Sequence, residues 1–345
     1  MSTANSSTVR ITFNTLRIIL FTETLFEEIM EPQHVKANIQ VIAASVIYGF
    51  SGIFFMYIKN MSAGAVVFYQ LLFGLLALTG YLAVTGKLSG IRLRGKRKIL
   101  MLLGALNAGA MVSYYMAVSF TNVSISVLLL YTAPFYVLLL APIFLKEKHN
   151  KKSLLALILS LAGVVIVIGP ENLVSGSGIE PGYLAGVLMG LFSGLFYACV
   201  TITSRYLRNE YSGLEQLFIS TFITLILLLP FVKQAPVTAL VENLPVLLFL
   251  GVTITSVGSI LYFTGLLHVK AQNASILSLL EPVSTIFFAY LLLKDPISAE
   301  TLLGCVLILS SSFLVSLEEE SKTENEPVFK EKLPAGPELA ECWEK

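Results

Sequence analysis

Charged residues are scarce in this chain of 345 residues. They make up 13% of it, while apolar side chains make up 55% and the mean hydropathy is +0.80. Soluble domains carry about 25% charged residues. A chain of this composition cannot cover a water-facing surface, because it has too few charges for one. The composition therefore predicts an integral membrane protein of the all-α class.

Residue types that support metal, redox or ATP-driven chemistry are also few and poorly spaced. Cys199, Cys305 and Cys342 are isolated, the three histidines form no HExxH motif, and no GxxxxGK[ST] loop occurs. Zinc sites, disulfide frameworks and ATP-driven pumps need such spacings. We expect no catalytic residues, no cofactor and no metal. The basic run RLRGKRK at 92–98 is interpreted as a determinant of topology rather than as a nucleic-acid site.

What the chain does have is long apolar runs. A membrane-spanning helix needs about 20 predominantly apolar residues. From residue 38 onward the chain contains ten such stretches, and most of the connections between them are short. The predicted spans are 38–58, 63–85, 98–119, 123–144, 152–170, 182–203, 213–232, 244–266, 272–293 and 297–317.

The two ends of the chain do not fit this pattern. Residues 1–37 form an N-terminal extension that mixes arginines with glutamates, and Met30 stands just before the first span. We expect that translation starts at Met30 and that 1–29 is dispensable. The tail, 318–345, is rich in Glu, Lys and Pro, a composition typical of disordered segments.

Lys and Arg in the short loops predict the orientation of the spans. The loops on the N-terminal side carry thirteen of these residues and the opposite loops carry three. Basic loops stay in the cytoplasm. We therefore predict a multi-pass protein of the cell membrane with both termini, and hence the tail, in the cytoplasm.

The second half of the chain repeats the first at an offset of 148 residues. Pro134 aligns with Pro282, and Lys146 aligns with Lys294. The linker 171–180 separates two repeats, 38–170 and 181–317. Each repeat holds five spans, and an odd number places the two repeats in opposite orientations across the membrane. Inverted repeats of this kind are typical of secondary transporters.

The ninth and tenth spans contain the sequences ASILSLLEPVSTIFFAYLLLKD and ISAETLLGCVLIL. With the two five-span repeats, these stretches resemble the EamA type of the drug/metabolite transporter superfamily, over roughly residues 38–317. Departures from the family pattern are Asp295 in place of Glu, Ala156 in place of Gly, and two tyrosines where tryptophan is common. The resemblance implies transport of small metabolites, including amino acids, often against protons.

Polar side chains share one helix face on several spans, and such stripes should face the interior of the bundle. Serines and threonines also bond to their own helix or hold helices together, and that interpretation stays open. The candidates for lining a substrate cavity are Tyr48, Asn107, Tyr114, Tyr197, Thr255, Ser259, Tyr262 and Ser278.

Glu281 is the one acid predicted to lie near the middle of a span. An acid at this depth is a functional-site hypothesis by default. Burial favours its protonated form, which makes it a candidate proton-coupling residue. Its repeat mate is Ala133, so the fold does not need an acid in both halves. A structural acid that fixes helix packing is the alternative. The neighbouring Pro282, with Pro134, is predicted to kink its helix.

Four glycines recur every fourth residue on the sixth span. This spacing creates a ridge for close helix packing. Contact within the chain is favoured over a dimer face, and both a monomer and a homodimer remain open. The ridge consists of Gly182, Gly186, Gly190 and Gly194.

The leading hypothesis is a secondary transporter that exports small metabolites by alternating access. A membrane-embedded enzyme, or a receptor or scaffold without transport, is the alternative. The spans hold no deep Lys or Arg, which a phosphorylated substrate would require. The expected partners are therefore the lipid bilayer and a neutral, zwitterionic or cationic small molecule, with amino acids as the first candidates.

Overall fold

The computed structural model describes residues 33–121, 123–147, 151–168, 182–234, 236–294 and 296–323. All regular secondary structure in the described residues is helical, as expected where lipid offers the backbone no hydrogen-bond partners. Met30, the linker 171–180 and the chain beyond Thr323 lie outside the described residues. The helices before the linker are α1 Gln33–Tyr48, α2 Phe50–Met56, α3 Ala63–Val84, α4 Arg97–Phe120, α5 Val123–Leu130, α6 Ala133–Phe144 and α7 Lys151–Ile168.

The helices after the linker follow a similar order. A π-helical segment, Gly251–Gly258, joins two of them into one long stretch. The last helix continues to Thr323, six residues beyond the predicted end of the tenth span at 317. The helices are α8 Tyr183–Tyr206, α9 Gly213–Leu227, α10 Val237–Leu250, α11 Ser259–Leu266, α12 Ala271–Leu277, α13 Leu280–Leu293 and α14 Ala299–Thr323.

Seven helical stretches are long and apolar enough to cross a membrane, and three further apolar helices are shorter. The prediction of an all-α protein with several spans is confirmed within the described residues. Ten spans in an inverted repeat go beyond this count and stay a prediction. The seven are Ala63–Val84, Arg97–Phe120, Ile125–Phe144, Lys151–Ile168, Tyr183–Tyr206, Val237–Leu266 and Ala271–Leu293; the three are Val35–Tyr48, Gly213–Leu227 and Ala299–Val315.

Two spans are interrupted near their middle, each just ahead of a proline. The first breaks between α5 and α6, before Pro134, and the second breaks between α12 and α13, before Pro282. Proline has no N–H and its ring clashes with the preceding turn, so it fits the first turn of a helix. Both prolines therefore sit where a new helix starts.

Glycines permit the closest contacts between helices. At Gly49, between α1 and α2, an added Cβ would lie 2.5 Å from Cβ of Ser284 on α13. Gly163 on α7 and Gly304 on α14 also pack against each other. A Cβ added to either glycine would lie 2.7 Å from the carbonyl oxygen of the other. Any larger residue at these positions would force the helices apart.

The glycine ridge on α8 faces other helices of the same chain. Gly186 packs against Phe120 and Thr121, and Gly190 packs against Leu129 of α5. The structure therefore agrees with packing within the chain as the use of this ridge.

Candidate functional site

Glu281 lies in the first turn of α13, directly after the break that separates α13 from α12. Its backbone N–H donates to the carbonyl oxygen of Ser278 across that break, at 3.1 Å. The side chain is half-buried. Among the described residues, no side chain or backbone group forms a hydrogen bond or ion pair with its carboxylate. The break thus presents a carboxylate that no other described residue pairs with.

Phenol groups surround this carboxylate deep inside the molecule. Four tyrosines lie close enough to Glu281 to interact with it electrostatically, and they come from four different parts of the fold. Like Glu281, each is half-buried, so part of its surface stays uncovered by the described protein. The four are Tyr48 of α1, Tyr114 of α4, Tyr131 at the α5–α6 break and Tyr197 of α8.

A hydrogen-bonded network stands behind these rings. The hydroxyl of Tyr48 donates to Oγ of Ser259 at 3.2 Å, and the two rings of Tyr48 and Tyr262 lie 6.3 Å apart between centroids. The hydroxyls of Tyr262 and Thr201 are 3.1 Å apart. Tyr262 is buried, and its hydroxyl also lies within hydrogen-bonding reach of Tyr197 and Ser278. These bonds join α1, α8, α11 and the α12–α13 break.

Six of the eight residues predicted to line a cavity thus come together around Glu281 or in the network behind it. They are Tyr48, Tyr114, Tyr197, Ser259, Tyr262 and Ser278.

The remaining two predicted residues serve other contacts. The amide of Asn107 donates to Oγ1 of Thr224 on α9, at 3.4 Å. Oγ1 of Thr255 accepts from the amide of Gln70 on α3, also at 3.4 Å. These bonds hold helices together, which is the alternative use of polar residues inside a bundle.

Sequence reasoning missed two residues of this site. Tyr131 lies three residues before Pro134, at the α5–α6 break, and Thr201 lies one helical turn after Tyr197. The sequence held a signal for each of them. Tyr131 is a polar residue close to a proline that interrupts a helix, and Thr201 lies on the same helix face as the candidate Tyr197. The alignment of the two repeats did not single out Tyr131, because the residue aligned with it, Leu279, is apolar.

A buried ion pair closes one end of the same helices. Nε of Arg205, at the end of α8, lies 3.3 Å from Oε1 of Glu147, and both side chains are 9% exposed. The guanidinium also donates to the carbonyl oxygens of Leu266 and Leu267 at the end of α11. Oε2 of Glu147 accepts from the backbone N–H of Ala271, at the start of α12, at 3.1 Å. This pair therefore ties four helix ends together.

A surface cavity of about 580 Å³ lies elsewhere, between the end of α3 and the α8–α9 loop. Arg94 and Glu215, which line it, pair with each other at 3.1 Å. None of the residues around Glu281 lines this cavity, and two of the charged side chains that do line it already pair with each other. Within the described residues, no three His, Cys, Asp or Glu side chains are grouped so as to hold a metal.

Comparison with known proteins agrees with this architecture. The chain is 28% identical over 273 residues to an uncharacterized transporter of Archaeoglobus fulgidus, covering 78% of this chain and 92% of the relative. It is 26% identical over 295 residues to the uncharacterized inner membrane transporter YicL of Salmonella typhimurium, covering 83% and 97%. A solved crystal structure superposes with a TM-score of 0.72 at 16% identity, covering 83% of this chain and 98% of that one.

The family comparison covers most of the chain. The EamA-like transporter family matches it twice, over residues 35–169 and 184–317. Together these two matches span both helical halves described above. The chain belongs to the EamA-like transporter family.

Proposed function

We propose that this membrane transporter is a proton-coupled secondary transporter that exports small metabolites, with amino acids as the first candidates. The observation that carries the proposal is the unpaired carboxylate of Glu281 at a helix break lined by tyrosines. Helix breaks near the middle of the membrane are where secondary transporters bind substrates and coupling ions.

The proposed architecture is two five-span repeats in opposite orientations. Three features recur at the offset of 148 residues. The breaks after Leu130 and Leu277 occupy nearly equivalent positions, and Lys151 and Ala299 begin equivalent helices. Lys146 and Lys294 lie within two residues after the end of a helix and both adopt the left-handed conformation, with φ of 57° and 59°. Non-glycine residues seldom adopt this conformation, so its recurrence supports an internal repeat.

Helix packing supports the same repeat. Under this alignment α1 corresponds to α8, α3 to α9, and α4 to the stretch from α10 to α11. Two pairs of equivalent contacts follow this alignment. The contact of α8 with α4 corresponds to that of α1 with α11. The contact of α9 with α4 corresponds to that of α3 with the π-helical segment. The interrupted span of each half packs against the first span of the other half.

One contact breaks the symmetry, and this supports alternating access. Near one end, α6 packs against α12, but their counterparts α13 and α5 make no comparable contact among the described helices. Ala271, at the start of α12, is 0% exposed, while its repeat mate Val123 is 59% exposed. We infer that the described state is closed at the α6–α12 end and open at the other.

The ion pair of Glu147 and Arg205 lies at the closed end. At the offset of 148 residues Arg205 aligns with Tyr57, so the opposite end has no equivalent cation at this position. By the loop-charge prediction this end faces the cytoplasm, and both chain termini lie on the same side. The described state would then be open to the outside of the cell membrane.

Substrate charge follows from the surroundings of Glu281. Within the described spans, Arg205 is the one buried cation, and Glu147 already pairs with it. An anionic substrate would find no positive partner near the carboxylate. Neutral, zwitterionic or cationic molecules fit this space, and alternate protonation of Glu281 would supply proton coupling.

Reconstitution in liposomes tests the proposal. A counterflow panel of amino acids and related amines should identify at least one solute that exchanges, at rates well above those of protein-free liposomes. An opposing pH gradient should drive its accumulation. If no solute of the panel exchanges and the protein is folded, the proposed transport of these substrates is wrong.

A further inference from the structure

Among the residues that the structure describes, the carboxylate of Glu281 has no counter-ion. Lys and Arg residues of the described chain lie at helix ends or in loops, and the buried Arg205 is committed to Glu147 and to two carbonyl oxygens. An isolated charge at this depth is costly. It must therefore be neutralised, either by a proton or by a cation that enters from solution.

The surrounding side chains are suited to a cation that carries an apolar group. Aromatic rings attract cations through their faces. The hydroxyls of Tyr48 and Tyr262 are engaged with Ser259 and Thr201, which fixes the two rings behind the site. Tyr48, Tyr114, Tyr131 and Tyr197 all remain half-buried, so their surfaces are available to a ligand.

We propose that the space around Glu281 is a binding site for an organic ammonium ion with an apolar portion. The carboxylate accepts hydrogen bonds from the ammonium group, and the four half-buried tyrosines surround its apolar part. This assignment rests on the proposed transport function for its physiological meaning, but the binding itself does not require transport.

One carboxylate cannot hold a proton and an ammonium ion at once. Binding of the amine should release the proton from Glu281, and a lower pH should weaken binding. Among the described residues, the other titratable groups near Glu281 are the phenols of Tyr48, Tyr114, Tyr131 and Tyr197. An ordinary phenol has a pKa of about 10 and is neutral between pH 5 and 8. In this pH range the competition therefore belongs to Glu281.

A matched charge series tests the site with purified full-length protein in detergent. Phenethylamine, phenylalanine and phenylpropionate share a phenyl ring and differ mainly in charge. Calorimetry should show the tightest binding for phenethylamine, weaker binding for phenylalanine and none for phenylpropionate. Binding of phenethylamine should weaken as pH falls from 8 to 5, and heats measured in buffers of different ionisation enthalpy should show release of a proton.

Variants locate the binding at Glu281. Glu281→Gln should weaken phenethylamine binding at least about tenfold, the loss of one charge-assisted contact. Glu242→Gln, which makes the same change at an exposed acid of α10, should leave it unaltered. If Glu281→Gln does not fold, the charge series and the pH dependence of the wild type still decide the matter.

The outcomes separate this proposal from the transport proposal. Equal binding of all three probes, or no binding of phenethylamine, overturns the ammonium site even if amino acids exchange in liposomes. Binding of phenethylamine that is lost in Glu281→Gln supports the site even if no solute is transported. In that case the transport proposal fails by itself.

Discussion

At the scale of single residues, the site consists of one acid and a shell of phenols. Glu281 supplies the one charge, while the tyrosines supply ring faces and hydroxyls whose bonds hold neighbouring helices in register. Burying Tyr262 without partners would be unfavourable, because a buried hydroxyl needs a hydrogen bond. Its bond to Thr201 therefore helps to fix the position of its ring.

Removing the hydroxyl of Tyr48 should weaken substrate binding without unfolding the protein. In Tyr48→Phe the bond to Ser259 is lost, and the net contribution of such a bond is about 1 kcal/mol. We expect about fivefold weaker binding of an exchanging solute, measured as its half-saturation concentration in counterflow. Tyr290→Phe, the same change at an exposed residue of α13, is the control. Equal effects of the two variants would contradict the role of Tyr48.

At the scale of helices, the ends of four elements depend on one ion pair. Glu147 and Arg205 are both buried, and together they satisfy backbone groups at the end of α11 and the start of α12. Removing one member of a buried pair leaves the other charge uncompensated, which typically costs about 3–5 kcal/mol.

Single and double variants of this pair should therefore differ in stability. We expect Glu147→Gln and Arg205→Met each to lower the thermal midpoint of the purified protein strongly. The double variant should be more stable than the single variant Glu147→Gln. In the single variant the charge of Arg205 stays buried without a partner, whereas the double variant buries no charge at this place. Lys96→Met with Glu210→Gln, a partly exposed pair 3.8 Å apart, is the control and should change little. A double variant no better than Glu147→Gln would contradict this view of the pair.

Cysteine labelling tests whether the α6–α12 contact is a closed gate. In a background without native cysteines, Ala271→Cys should resist a water-soluble thiol reagent, while Val123→Cys should react. Adding Arg205→Met should raise the labelling of Ala271→Cys, because the pair that holds this end is lost. Strong labelling of Ala271→Cys with the pair intact would contradict a closed end at this position.

The glycine ridge of α8 gives a prediction about packing. A Cβ at Gly190 would lie 2.5 Å from Leu129, so Gly190→Leu should separate α8 from α5 and lower both expression and thermal stability. Gly80→Leu on α3 is the control, since a Cβ there meets no atom within 4 Å. We expect it to express normally. Normal expression and transport by Gly190→Leu would rule out close packing as the role of the ridge.

At the scale of the whole molecule, much of the fold could be predicted from the sequence. Apolar runs located the helices, because lipid permits few other structures. The aligned prolines marked both interrupted spans, since Pro134 and Pro282 cannot continue the preceding hydrogen bonds. The repeat also related Lys146 to Lys294, which lie just after the ends of their helices and share the same backbone conformation.

The partners across helices could not be predicted in the same way. A periodic pattern gives the face of a side chain but not the helix it will meet. Asn107 and Thr255 share faces with the candidate tyrosines, yet they bond to α9 and α3. The pair of Glu147 and Arg205 joins residues 58 positions apart, and no motif or spacing in the sequence relates one to the other.

The central claim is that Glu281 couples transport to protons. The most direct measurement compares wild type, Glu281→Gln and the exposed-acid control Glu242→Gln in liposomes, with a solute that exchanges in counterflow. At saturating solute, all three should exchange it, but only wild type and Glu242→Gln should accumulate it when a pH gradient is imposed. Accumulation by Glu281→Gln equal to that of wild type, with the same dependence on pH, would contradict the claim.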